Sequence, residues 1–284
     1  MRIALINSGL GLLAPAAALH RLRPDADLVL APDPDGMPWG PRTPADIADR
    51  ALRCARAALR YQPDILVMAC NTGSVHALDA MRAEFEPAIP VIGTVPAIKP
   101  AAATYRKVAI WATVATTASA YQRRLITEFA GSASVTAVAC PGLADAVDAG
   151  DDAGTAAAVA AAARQTPAGC EAVVLGCTEY ELVTGQIRQA LPGVATFGSA
   201  AAVATQALRR IPPAGLVRPA DGEPDCASGA GTANGCLGTV RVLLSGRPAG
   251  LPQAALRYPE GRLLAPHVVT GEEREPAAGP VAGA

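Results

Sequence analysis

Two cysteines occupy matched settings in this chain. One lies in Met68-Ala69-Cys70-Asn71-Thr72 and the other in Leu175-Gly176-Cys177-Thr178-Glu179. Each follows a short apolar run of strand type and precedes a helical pattern. That places it outside the carboxyl end of a strand, where open α/β sheets bind ligands. The positive end of a following helix favours thiolate over thiol, so both sulfurs are expected below the free pKa of about 8.5. A free cysteine is more often a small buried hydrophobe, and Cys54, Cys140 and Cys170 are read so; Cys226 and Cys236 read as exposed loop thiols. One thiol beside a substrate is a nucleophile. Two thiols on opposite sides of one carbon can do something else: the thiolate removes the α-proton and the opposed thiol protonates the other face. A stereocentre is then inverted with no cofactor.

The elements that must hold these cysteines are legible as an alternation of apolar runs and helical patterns, the mark of a mainly parallel α/β sheet. Arg2–Ile6 reads as a buried strand, followed by a glycine turn and a helix over Leu12–Leu22. Asp27–Leu30 is a second strand, and Thr43 precedes a helix to Arg60 with Ile47, Leu52, Ala55 and Leu59 on one face. Ile65–Ala69 and Val91–Ile92 complete a first set of strands. Val75, Leu78, Met81 and Phe85 are expected to line the helix after Cys70. The pattern then restarts, with strands at Val108–Ala112, Ser134–Val138 and Ala172–Leu175 and helices at Ala118–Phe129, Ala153–Arg164 and Tyr180–Leu191. Asn7 precedes Cys70 by 63 residues, and Thr113 precedes Cys177 by 64. An internal duplication explains this spacing. After a helix at Ala200–Arg210 comes a Pro-, Gly-, Ala- and Asp-rich insert, then a short strand at Thr239–Leu244 and a weak helix at Leu251–Tyr258.

Composition excludes several functions. With 284 residues and a formal charge of −1, the chain lacks the basic face a nucleic-acid partner needs. No apolar run approaches the roughly 18–20 residues of a membrane span, and Asn7-Ser8-Gly9 interrupts the apolar N-terminus before a signal-peptide core forms. Seven cysteines without C-x-x-C spacing, and three scattered histidines, speak against a disulfide framework or a zinc site and for a reducing, cytoplasmic setting. No metal and no cofactor are expected.

The chain resembles the aspartate/glutamate racemase superfamily, and its glutamate racemase branch most. The stretches that carry the likeness are Ile6-Asn7-Ser8-Gly9 with Gly11-Leu12, Pro38-Trp39-Gly40 with Arg42-Thr43, and Ala69-Cys70-Asn71-Thr72. Further on come Val91-Ile92-Gly93 with Val95-Pro96-Ala97-Ile98-Lys99-Pro100, Ala112-Thr113 with Thr116, Val174-Leu175-Gly176-Cys177-Thr178, and Thr239–Pro248. The resemblance implies two similar three-layer α/β domains related by a pseudo-twofold, with the active site between them and the C-terminal segment returning to the first. The first domain is then expected over 1–95 plus 200–262, with a flexible insert at 212–237, the second over 96–199, and a disordered tail over 263–284. It implies Cys70 and Cys177 as the two acid/base residues. Asn7, Ser8, Trp39, Gly40, Asn71, Thr72, Thr178 and Glu179 are implied to hold the carboxylate and ammonium of a small amino-acid substrate. The implied activity is cofactor-independent racemisation of glutamate for peptidoglycan, with an aspartate or broader amino-acid racemase as the alternative and a homodimer left open.

Three positions depart from glutamate racemase. Asn7 stands where the family usually has Asp, Glu179 where it has His, and Trp39 where it has Tyr. Glu after Cys-Thr is the habit of the aspartate racemase branch, so one carboxylate is lost and another gained. Two competing readings remain. Gly9-Leu10-Gly11-Leu12-Leu13-Ala14 fits a dinucleotide fingerprint with Asp33 on a ribose, although a nicotinamide-dependent dehydrogenase leaves the paired cysteine motifs unexplained. A racemase-like binding protein would keep the pocket without turnover.

Overall fold

Side-chain alternation along the first strand sets the layers. In the computed structural model, which describes residues 1–211 and 237–270, β1 (Arg2–Asn7) sends Ile3 and Leu5 into one core and Ala4 and Ile6 into another. Both sets are fully buried, so a strand with apolar side chains on both faces must lie inside a sheet covered on both sides. A 3-10 turn at Leu10–Leu12 leads into α1 (Leu13–Leu22), and β2 (Asp27–Pro32) follows. Next is α2 (Pro44–Leu59), started by the Thr43 hydroxyl accepting the Asp46 N–H at 3.2 Å with proline in the first turn. Its buried face is Ile47, Ala51, Cys54, Ala55 and Ala58, with Leu52 and Leu59 only at the rim. The first half continues as β3 (Ile65–Met68), α3 (Asn71–His76), α4 (Leu78–Phe85) and β4 (Val91–Gly93).

The second half runs α5 (Ile98–Thr104), β5 (Lys107–Ala112), α6 (Val114–Ala118), α7 (Ala120–Phe129) and β6 (Ser134–Ala139). It continues through α8 (Leu143–Ala149), α9 (Asp152–Gln165) and β7 (Ala172–Leu175) to α10 (Thr184–Ala190) and β8 (Ala195–Phe197). The chain returns through α11 (Ala200–Arg210), β9 (Val240–Leu244), β10 (Arg247–Ala249) and α12 (Pro259–Leu264).

Two sheets result among the described residues. The first has the order β10-β9-β2-β1-β3-β4 and the second β6-β5-β7-β8, parallel except for the β9–β10 hairpin. The order β2-β1-β3-β4 of one is repeated as β6-β5-β7-β8 in the other, which is the duplication expected from the cysteine spacing. Register corrects its detail by one residue. Met68, two before Cys70, pairs with Ile6, and Leu175, two before Cys177, pairs with Trp111. Ser8, not Asn7, is therefore the counterpart of Thr113. One core reaches from α1 and the first sheet to β5, β7, α8 and α9 of the second, so the halves share an apolar interior.

Four expectations fail. The helix after Cys70 is two helices, because Ser74 is tied to the Met68 carbonyl and the Thr94 N–H at 3.2 and 2.8 Å. The helix from Tyr180 is a 3-10 turn at Thr178–Val183 followed by α10. There Glu181 reaches out to accept the Ser199 N–H and hydroxyl and the Ala200 N–H. The tail is also placed further than expected. Leu264 is buried, the His267 ring packs tilted against His20 with centroids 4.4 Å apart, and the Val269 N–H bonds the Val240 carbonyl beside β9, so 263–270 is folded. The expected helix over Leu251–Tyr258 is a 3-10 turn at Gln253–Arg257. The expected flexible insert, with Cys226 and Cys236, and the expected disordered tail beyond residue 270 lie outside the described residues; Leu237 alone of the insert is described. No helix among the described residues is long and apolar enough to cross a membrane.

Candidate active site

Cys70 leaves β3 in extended conformation and caps α3 with its own sulfur, Sγ accepting the Gly73 N–H at 3.4 Å. Cys177 leaves β7 in the same conformation, and its thiol donates to Glu179 Oε2 at 2.8 Å. Both are buried, and each half of the duplication supplies one. They lie near enough for the charge of Cys70 to act on Cys177.

The polar residues between them are joined across the two halves. Asn7 Nδ2 donates to the Ala69 carbonyl at 2.6 Å and to Thr178 Oγ1 at 3.2 Å, while Asn7 Oδ1 accepts from the Ser8 hydroxyl and the Gly9 N–H. The Ser8 oxygen is 3.9 Å from Cys70 Sγ. Thr178 Oγ1 in turn donates to Glu179 Oε2 at 3.4 Å. Gly11 makes this closeness possible: a methyl there would meet Thr178 Oγ1, Glu179 Oε1 at 2.6 Å and Asn7 Nδ2 at 2.8 Å. Asn7 and Glu179 therefore face the same small space. Glu179 Oε1 and both polar atoms of Asn71 are buried with no protein partner. Buried polar atoms without partners are costly and point to a ligand's complementary groups. One acceptor and one amide match an ammonium and a carboxylate.

The expectation of two acidic thiols is overturned. Burial, and then the nearby Glu179 charge, push Cys70 up to about 11 despite the Gly73 N–H and Ser8, which pull it down. The same two causes, in the same order, hold Cys177 well above the ordinary thiol range. Desolvation disfavours the thiolate more than one helix end favours it, and α3 is a short helix while the turn after Cys177 is not α-helical.

Of the other sequence-predicted residues, Thr72 sits half-buried in the first turn of α3. Gly40, half-buried, faces Ala115 of α6 across the two halves. Trp39 is not a free donor: its ring is buried and its indole N–H is spent on Asp33 at 3.1 Å. Asp33 is thereby withdrawn from the dinucleotide reading, since its oxygens also take Arg50 and Ser245. The space beside Gly9 and Gly11 that a pyrophosphate would need is filled by Asp148, Thr178 and Glu179.

Sequence reasoning missed Asp148. It comes from α8 in the second half, and its Oδ1 accepts the Leu10 N–H at 2.6 Å, latching the turn after β1. Burial, and then the charge of Glu179, raise it well above the usual carboxylate range. It is one of four aspartates between 145 and 152, and nothing in their spacing singles it out. Among the described residues no cluster of three or more His, Cys, Asp or Glu is arranged to hold a metal.

Against known proteins, the Asp/Glu/Hydantoin racemase family model matches residues 12–207. A glutamate racemase of Herpetosiphon aurantiacus is 33% identical over 253 residues, covering 87% of this chain and 93% of that protein. One from Pseudomonas putida is 35% identical over 221 residues, 74% of this chain and 81% of its own length. Among solved structures, Escherichia coli glutamate racemase in complex with L-glutamate and the activator UDP-MurNAc-ala superposes with a TM-score of 0.72 at 26% identity, covering 90% of this chain and 91% of that one.

Proposed function

Because this chain belongs to the Asp/Glu/hydantoin racemase family, we propose that it is a glutamate racemase, interconverting L- and D-glutamate by proton transfer between Cys70 and Cys177. The observation that carries this reading is the pair of buried thiols at equivalent strand ends of two duplicated halves, with unpartnered polar atoms on Asn71, next to Cys70, and on Glu179, two residues after Cys177. The halves divide as domains at 1–95 plus 200–262 and 96–199. Each protomer holds both cysteines, so monomer and homodimer would both turn over. Reduced thiols are required, which suits the cytoplasm, and the D-glutamate would supply peptidoglycan.

The proton balance follows from the electrostatics. In the free protein both thiols are held protonated by burial and by the Glu179 charge. A substrate ammonium against Glu179 Oε1 offsets that charge, so binding itself makes a thiolate accessible. The Cys177 thiol, which donates to Glu179 Oε2 at 2.8 Å, loses its proton to water as the ammonium enters, so Glu179 keeps its charge against the ammonium. The Cys177 thiolate then takes the α-proton, and the Cys70 thiol delivers its own to the opposite face. Asn71 Nδ2 and the Thr72 hydroxyl supply donors for the substrate carboxylates. After one turnover Cys70 is the thiolate, and that form accepts the other enantiomer.

The test is chiral chromatography of L-glutamate, D-glutamate and both aspartates incubated with the protein. Inversion of both glutamates is expected; inversion of aspartate alone would move the activity to the aspartate branch, and inversion of none would leave a binding protein. Cys70→Ser and Cys177→Ser should each abolish inversion, while each still exchanges the α-proton of one enantiomer with deuterated solvent. Inversion at the parent rate by either variant would rule out two opposed bases.

A further inference from the structure

Behind Cys70 lies a buried, hydrogen-bonded tryptophan. Trp39, in the loop between β2 and α2, is 1% exposed, so its single polar atom must be satisfied inside the protein. The indole N–H donates to Asp33 Oδ2 at 3.1 Å. That oxygen also takes Arg50 Nη1 from α2 at 3.2 Å, and Oδ1 takes the Ser245 hydroxyl from the β9–β10 turn at 2.8 Å. The carboxylate is thus pinned by two elements besides the tryptophan. The ring bears on Gly73 together with Met68: a methyl there would meet Met68 Sδ first and then Trp39 Cζ3 at 3.0 Å. Gly73 is the residue whose N–H donates to Cys70 Sγ. Helix α3 is six residues long and opens Asn-Thr-Gly-Ser, poor helix formers that need outside support to keep a first turn in place.

We propose that Trp39 is a positioning residue for Cys70: anchored by Asp33, its ring holds the first turn of α3 so that the Gly73 N–H stays on the Cys70 sulfur. A donor on the sulfur favours the thiolate over the thiol. The assignment rests on the racemase reading for its catalytic meaning, since Cys70 must become a thiolate in one direction of the reaction. It replaces the expectation that Trp39 binds substrate.

The test needs no turnover. Full-length parent and Trp39→Phe proteins are alkylated with iodoacetamide between pH 7 and 10, and the Cys70 and Cys177 peptides are quantified by mass spectrometry. Below its midpoint a thiol reacts about ten-fold faster per pH unit, because only the thiolate reacts. Losing the indole anchor should raise the Cys70 midpoint by roughly half a unit, read as an alkylation rate about three-fold lower at each pH. The Cys177 rate should not move. An unchanged Cys70 rate, or a parallel change at both cysteines, overturns the proposal. Asp33→Asn keeps the whole indole but removes the charge from its acceptor. It should lower the Cys70 rate in the same direction, and it decides the matter if Trp39→Phe fails to give the parent circular dichroism. In a Cys177→Ser background, Trp39→Phe should also slow α-proton exchange of the one glutamate enantiomer that Cys70 serves. In a Cys70→Ser background it should leave exchange unchanged. A selective alkylation change in a protein that exchanges no amino acid's proton would keep the positioning role and reject the racemase reading.

Discussion

Glu179 is the residue on which the acid/base chemistry turns. It accepts the Cys177 thiol with one oxygen, leaves the other bare beside Gly11, and raises both thiols by its charge. Glu179→Gln should lower kcat/KM by roughly ten-fold or more, the scale of one charge-assisted hydrogen bond of about 1.5–3 kcal/mol. The loss must be equal in both directions, since the enantiomers have equal free energy. Asn7→Asp alone should also harm, because it sets a carboxylate oxygen against the Ala69 carbonyl that Asn7 Nδ2 now satisfies at 2.6 Å. In the Glu179→Gln background the same change returns an anion to the shared space and should recover part of the loss. Steady-state racemisation of the parent, both single variants and the double variant measures this, and strictly additive effects would separate the two positions. Cys70, Cys177, Asn7 and Glu179 were legible because polar residues at strand ends are conspicuous beside apolar runs. The acidity of the thiols was not, because burial depends on what the other half of the chain places over them. Trp39 was misread for the same reason: its partner Asp33 is near in sequence, but the bond between them shows only once both are buried.

At the scale of elements, the site depends on a turn and a helix from opposite halves. The turn Gly9-Leu10-Gly11 has room for Asp148, Thr178 and Glu179 only because two side chains are missing from it, and α8 closes on it through the Leu10 N–H. The folded-state pKa of Asp148 lies well above its unfolded value of 3.8, so the folded protein binds the extra proton. Its contribution to stability is full below that unfolded value and drains away as the pH rises through the raised one. Asp148→Asn, which cannot titrate, should remove the slope. The urea midpoint of the parent relative to that of the variant is expected to fall as the pH rises above 3.8. A flat difference would mean that Asp148 ionises in the protein as it does in water. All the described strands but β8 and β10 were readable to within a residue or two, since continuous apolar runs such as Ile3–Ile6 and Ala172–Leu175 allow little else. The helices after the cysteines were not, because Ser74 and Glu181 trade helical continuity for hydrogen bonds to distant backbone.

At the scale of the molecule, the two halves share one apolar core, and the first sheet is finished by the end of the chain rather than its beginning. The repeat β2-β1-β3-β4 and β6-β5-β7-β8 was foreshadowed by cysteine spacing, and β9 by the expected strand at Thr239–Leu244, but β10, which with β9 lengthens only the first sheet, left no comparable trace. That asymmetry governs the order of assembly. During synthesis the second sheet has all four strands once β8 has emerged, whereas β2 still awaits its outer neighbour. Asp27 and Thr239, 212 positions apart, are hydrogen-bonded to each other in the finished protein. Until β9 arrives, the backbone of Asp27–Pro32 is an open edge on a nearly complete sheet, and such edges recruit other chains. A version ending at residue 211 should therefore self-associate on refolding at concentrations where the full chain stays monodisperse, as light scattering would record. The last strands to be made act as the molecule's guard against its own copies.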